Sequence, residues 1–129
     1  TAPPLGCAAA IASLELFEAN DLLTNIAHNT ALLSQKIGPL CDNPKAGEFR
    51  QKGIMVGIEL VQDRTTMEPF PPEHRVGHRV TLAARERGVI IRPLGDVIVL
   101  MPAPAMPGEL VSRLCDETIA SIHDVTSSL

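Results

Sequence analysis

The stretch GVIIRPLGDVIVLMP, residues 88–102, decides the fold. Two apolar runs flank Leu94-Gly95-Asp96, whose composition is that of a tight turn, so the stretch reads as a β-hairpin with residues 89–93 going out and 97–101 returning. A single charge of unusual placement, Arg92, sits between Ile91 and Pro93. Pro93 forces it into an extended conformation, and period-two alternation puts it on the face of Ile90. A guanidinium is always charged and costly to bury alone. Two readings stay open from the residues themselves: a strand-end arginine whose stem lies on the sheet while its head reaches water, or a fork held at a pocket rim to grip a carboxylate bidentately.

Working outward, Pro72 and Gly88 bracket a helix over residues 73–87 with Val76, Val80 and Ala84 as its narrow apolar stripe. Before it, QDRTTMEPFPP is a polar connection, and GIMVGIELV, residues 53–61, is a strand with Ile54, Val56, Ile58 and Leu60 on one face. Gly57 has no side chain to pack and marks a bulge or a close backbone approach. Residues 41–50, CDNPKAGEFR, carry turn formers and read as a loop.

Toward the N-terminus, Pro3 and Pro4 open a helix along which Ile11, Leu14 and Phe17 recur at helical spacing. Asn20-Asp21 breaks it, and Leu22, Ile26, Leu33, Ile37 and Leu40 mark a second helical face that Gly38-Pro39 ends. After the hairpin, Pro107 opens a last helix to about residue 125, with Leu110, Leu114, Ile119 and Ile122 inward. The order helix, helix, strand, helix, strand, strand, helix gives an α+β fold: a small, largely antiparallel sheet covered by helices on one face.

Composition bounds the function. The 129 residues are 45% hydrophobic and 20% charged, enough for one globular domain with a single core. No apolar run reaches the ~20 residues of a membrane helix. The net charge of −4, the absence of Trp and Tyr and the presence of only three Phe argue against nucleic-acid binding. Cys7, Cys41 and Cys115 are odd in number and fit no metal spacing, so they read as buried free thiols in a reducing cytoplasm. His74 and His78 stand at i and i+4, but a third ligand is not evident and a solvated helix face explains them; His28 and His123 are isolated. Lys36, Lys45 and Lys52 all have polar neighbours, whereas a Schiff-base lysine needs a desolvating pocket.

Three blocks, PLGCAAAIASLE, RQKGIMVGIELVQDRTTMEPF and GVIIRPLGDVIVLMP, occur in one order and cover nearly the whole chain. Together they resemble the C-terminal part of the class III, PLP-dependent aminotransferases, and the arginine-proline-leucine-glycine hairpin leans toward the branch that serves biotin synthesis. The resemblance implies a fold-type I homodimer in which a large domain carries the lysine that binds pyridoxal 5'-phosphate. Residues 1–129 would then be the small domain that closes over the substrate, with no catalytic, cofactor-binding or metal-binding residue of its own and without activity when isolated. It also implies that Arg92 pairs with the carboxylate of a keto-acid substrate. Where the family usually has Thr-Gly-Asn-Pro this chain has Thr1-Ala2-Pro3-Pro4, and Pro102-Ala103-Pro104 stands where Pro-Pro-Leu is usual. The family threonine that reaches the cofactor phosphate lies upstream of that first motif, so Thr1 does not take its role. Two rivals remain: another class III transaminase, for ornithine-type or ω-amino acid substrates, and a stand-alone carboxylate-sensing or dimerisation module, which the extent of the reading frame would separate from an enzyme domain.

Overall fold

A computed structural model describes residues 3–129. Thr1 and Ala2, on which part of the Thr1–Pro4 motif falls, lie outside the described residues. Two helices come first, α1 (Pro4–Ala19) and α2 (Leu22–Ile37). They meet at Asp21, whose left-handed φ of 47° turns the chain, and a short 3-10 turn over Gly38–Asp42 follows. Strands β1 (Ala46–Lys52) and β2 (Met55–Leu60) come next, then a 3-10 turn at Pro72–His74 and helix α3 (Val76–Glu86). Strands β3 (Arg92–Leu94) and β4 (Val97–Leu100) and the long helix α4 (Gly108–Thr126) complete the chain.

The four strands form one antiparallel sheet in the order β1-β2-β4-β3. Alternation fixes its faces: Val56, Ile58 and Leu60 of β2 and Ile98 and Leu100 of β4 are all at most 1% exposed. They pack against Leu33 and Ile37 of α2, Val76 and Val80 of α3, and Val111 and Cys115 of α4, so one core lies between the sheet and a layer of three helices. This is the expected α+β arrangement, with helices on one face.

Five local expectations change. Residues 46–52 form β1 rather than continuing a loop. Their charged residues, Glu48, Arg50 and Lys52, all point to solvent from an edge strand, and little apolar alternation was left to read. The bulge anticipated at Gly57 is in β1, where register shifts between Ala46 and Glu48; at Gly57 pairing is unbroken and an added Cβ would meet Val97 at an ordinary 3.6 Å. The helix expected over 73–87 is split, because Arg75 takes a left-handed φ of 44° between the 3-10 turn and α3. The outgoing strand begins at Arg92, and Leu94 belongs to it, leaving Gly95-Asp96 as a two-residue turn with Gly95 at φ 61°.

The fifth change concerns α4. Its buried stripe is Val111, Cys115, Thr118, Ile122 and Val125, while Leu110 is 48% exposed. Thr118 and Ser121 can be buried because their hydroxyls donate to carbonyls one turn back, those of Leu114 and Glu117 at 2.7 and 2.6 Å. A hydrophobicity pattern has no way to score such self-satisfied polar residues. Helix α1 differs in kind: none of its residues is buried, and Ile11 and Leu14 are 58% and 68% exposed.

Candidate functional site

Arg92 opens β3 and pairs with Val99 of β4. Val99 pairs in turn with Gly57, and Gly57 with Arg50, so the two arginines end one row across the sheet. The row lies on the face turned away from the helices. Its two ends differ in electrostatics. Arg50 donates to Glu48 at 2.6 Å and Glu59 at 3.1 Å, whereas among the described residues Arg92 has neither an ion pair nor a side-chain hydrogen bond. It is exposed, as on a strand whose alternation buries Ile91 and turns Ile90 outward.

Beyond Arg92 the hairpin opens. Pairing between β3 and β4 stops at Arg92 and Val99, and the diverging residues enclose a cleft of about 340 Å³. Its walls come from Ile90 and Ile91 on one side, Met101 and Pro102 on the other, and Met106 and Leu114 at the back. Among the described residues Arg92 is the only charged one lining it. An apolar cleft with one unpaired guanidinium at its rim suits a ligand with an aliphatic body and a terminal carboxylate. A larger depression of about 790 Å³ lies elsewhere, around Lys45, Asp63, Arg64 and Glu68. It is open and lined by charges of both signs, and it converges on no reactive group.

The rear wall of the cleft is set from a distance. Asn29 of α2 donates through Nδ2 to the Met106 carbonyl at 2.8 Å, and Asn25, one turn earlier, donates to the Pro104 carbonyl at 2.7 Å. The pair ties the segment between β4 and α4 to α2 and fixes where Met106 stands. Sequence reading missed both asparagines. The available signal was an i, i+4 amide pair next to an apolar face, with Asn29 itself 1% exposed.

The remaining candidates fall apart as sites. His74 and His78 are exposed and separated by the left-handed Arg75, and no group of three metal-ligating side chains occurs among the described residues. His28 lies near Gly108, and His123 Nδ1 is 3.2 Å from the Asn43 amide. The thiols separate too: Cys115 is buried, with its pKa pushed up to about 11 by burial and secondarily by Asp116, while Cys7 and Cys41 are exposed rather than buried. Cys7 lies on α1, none of whose residues is buried, and Cys41 on a surface turn.

Residues 1–123 match the family described as Aminotransferase class-III. The chain belongs to that family. Among curated relatives of this class-III chain, the adenosylmethionine-8-amino-7-oxononanoate aminotransferase of Geobacter sulfurreducens is 48% identical over 126 residues, covering 98% of this chain and 28% of the relative. The enzyme of the same name from Nitratidesulfovibrio vulgaris is 54% identical over 102 residues, covering 79% of this chain and 19% of the relative. The crystal structure of the Methanocaldococcus jannaschii enzyme of that name superposes with a TM-score of 0.88 at 37% identity, over 93% of this chain and 27% of the other. The chain thus spans about a quarter of the length of these relatives. None of the described helices of the class-III chain is long and apolar enough to cross a membrane.

Proposed function

We propose that the chain is the C-terminal small domain of a PLP-dependent aminotransferase that transfers an amino group to 8-amino-7-oxononanoate, giving 7,8-diaminononanoate for biotin synthesis. In this reading Arg92 is the substrate anchor. The observation that carries it is the unpaired guanidinium at the rim of an otherwise apolar cleft. The acceptor named in the relatives' activity is a long aliphatic keto acid, and its two halves correspond to the two halves of the cleft: hydrocarbon against Ile90, Met101 and Met106, carboxylate against Arg92. Fixing a flexible substrate at the end remote from its ketone uses binding energy to orient the reacting carbon.

Class-III membership implies pyridoxal 5'-phosphate for the whole enzyme. The residues here do not fit the cofactor, because a lysine able to form an imine with it must lose its proton in a desolvated pocket. Lys36 is held by Asp116 at 3.0 Å on the surface, Lys45 donates to the Gln62 carbonyl at 2.8 Å, and Lys52 is exposed at the end of β1. The proposal therefore assigns the cofactor and its lysine to a large domain of the same polypeptide, and the isolated 129 residues to an inactive state. Two exposed apolar surfaces support such a neighbour: α1, through Leu5, Ile11 and Leu14, and the outer sheet face, through Met55, Ile90 and Leu94. Assembly as a homodimer and location in the cytoplasm belong to the same proposal.

The test uses the full-length enzyme. Replacing Arg92 with Ala should raise KM for 8-amino-7-oxononanoate by about 10- to 100-fold, the range expected for losing hydrogen bonds between charged groups. The half-reaction with the amino donor should keep its rate. Equal effects on donor and acceptor would remove the anchor role.

A further inference from the structure

We propose that Asp96 is a positioning residue that holds Arg92 in register with the substrate by locking the hairpin turn onto the N-terminus of α3. The proposal rests on the anchor role of Arg92 given above and deepens it.

Strand β3 is a poor platform for a precisely aimed side chain. It has three residues, lies at the sheet edge, contains Pro93, which cannot donate to a ladder, and pairs with β4 through only Arg92, Pro93 and Leu94. Something besides strand pairing must fix it, and the structure supplies that at both ends of one helix. At the far end of α3, the Val89 amide donates to the Ala84 carbonyl at 2.9 Å, which secures the chain entering β3. At the near end, Asp96 Oδ1 accepts from the Gly77 amide at 2.8 Å. Helix α3 makes no capping hydrogen bond with its own N-cap side chain, since Arg75 stands there in a left-handed conformation. Asp96 fills that role from 19 residues away in sequence, satisfying an orphan amide and placing a negative charge at the positive end of the helix.

The backbone geometry around this bond leaves little play. A Cβ built on Gly77 would lie 2.2 Å from the Gly95 carbonyl oxygen and 3.1 Å from Asp96 Cα, so turn and helix touch through backbone atoms at a position where only glycine fits. The Asp96 carbonyl also accepts from the Leu60 amide at 2.9 Å, which adds the end of central strand β2 to the same junction. The turn is thus joined to a helix by a side chain and to the sheet by a main chain. Arg92 stands four residues before Asp96, on a strand whose other support is Ala84. Loss of the carboxylate removes the turn's hydrogen bond to α3 and leaves the main-chain bond to Leu60 as its remaining polar tie, so the turn loosens against the helix, and with it the strand that carries the guanidinium.

The experiment is steady-state and half-reaction kinetics of the full-length enzyme with Asp96→Ala, Asp96→Asn, Arg92→Ala and the Asp96→Ala/Arg92→Ala double variant, with thermal unfolding as the check on folding. A displacement of about 1 Å in an anchoring group can cost up to ~100-fold, so Asp96→Ala should raise KM for 8-amino-7-oxononanoate by about tenfold while leaving the amino-donor half-reaction unchanged. Asp96→Asn retains an acceptor oxygen and should restore KM to within about twofold of the parent. Because Asp96 acts through Arg92, Asp96→Ala should add nothing to KM once Arg92 is Ala. Additive effects in the double variant, or an Asp96→Ala variant with unaltered KM, overturn the positioning role. An Arg92→Ala variant with unaltered KM overturns the anchor itself, so the two failures are distinct. Should Asp96→Ala not fold, an Asp96→Ser variant, whose shorter side chain does not span to the Gly77 amide, takes its place: a raised KM supports the proposal and the parent KM overturns it.

Discussion

A guanidinium with no carboxylate near it keeps its full capacity for an incoming one, and at the rim of a cleft with otherwise apolar walls that capacity is directed. Arg50 shows the opposite condition at the other end of the same cross-strand row, since Glu48 and Glu59 already occupy it. The difference between the two arginines was half legible in sequence. Arg92 stood out because its neighbours are apolar and Pro93 fixes its backbone; that it has no partner required knowing which side chains reach it. At the same scale, Cys115 makes a pH prediction. Burial raises its pKa from an ordinary 9.0 to about 11, so the folded chain holds the thiol proton more tightly than the unfolded chain does. Below about pH 9 the thiol leaves stability unchanged, and from there to about pH 11 it makes stability fall as pH rises. Chemical denaturation across that interval should show a shallower decline for Cys115→Ala than for the parent chain. Parallel declines would mean that the buried thiol is not linked to folding.

Among the elements, those with strong apolar periodicity, α2, α3, β2 and the β3-β4 hairpin, could be read from residues alone, because burial on one face is what the periodicity records. Strand β1 could not, since an edge strand exposes Glu48, Arg50 and Lys52 and borrows its structure from β2. The stripe of α4 was misplaced by hydrophobicity because Thr118 and Ser121 satisfy themselves within the helix. The tie between α2 and the segment before α4 was invisible for a different reason: Asn29 and Met106 are 77 residues apart. Its weight can be measured. Asn29→Ala leaves the Met106 carbonyl with only the longer, 3.3 Å bond from Asn25 Nδ2 and should destabilise the chain by about 1 kcal/mol in urea unfolding, the net worth of one hydrogen bond. A change within about 0.5 kcal/mol, typical of a surface substitution, would show that the bond to Met106 carries no structural load.

For the molecule as a whole, the fold and the family were accessible from three sequence blocks, but the extent of the site was not. Met106 and Leu114 close the cleft at the back, whereas its walls Ile90 and Met101, and Leu94 beside them, are 84%, 66% and 60% exposed. Under the proposed assignment another part of a larger enzyme covers that surface; the chain itself is about a quarter as long as its relatives. From the same assignment, the purified 129-residue chain should not retain pyridoxal phosphate. Absorbance spectroscopy after desalting tests this, and a persistent cofactor band abolished by replacing Lys36, Lys45 or Lys52 would contradict it. The most direct measurement for the central claim compares kcat/KM for 8-amino-7-oxononanoate and for its carboxamide analogue in full-length enzyme with Arg92 intact and with Arg92→Ala. With Arg92 present, the acid should be preferred by about 10- to 100-fold, and the preference should vanish in the variant. An unchanged preference for the acid after Arg92→Ala would contradict the anchor role.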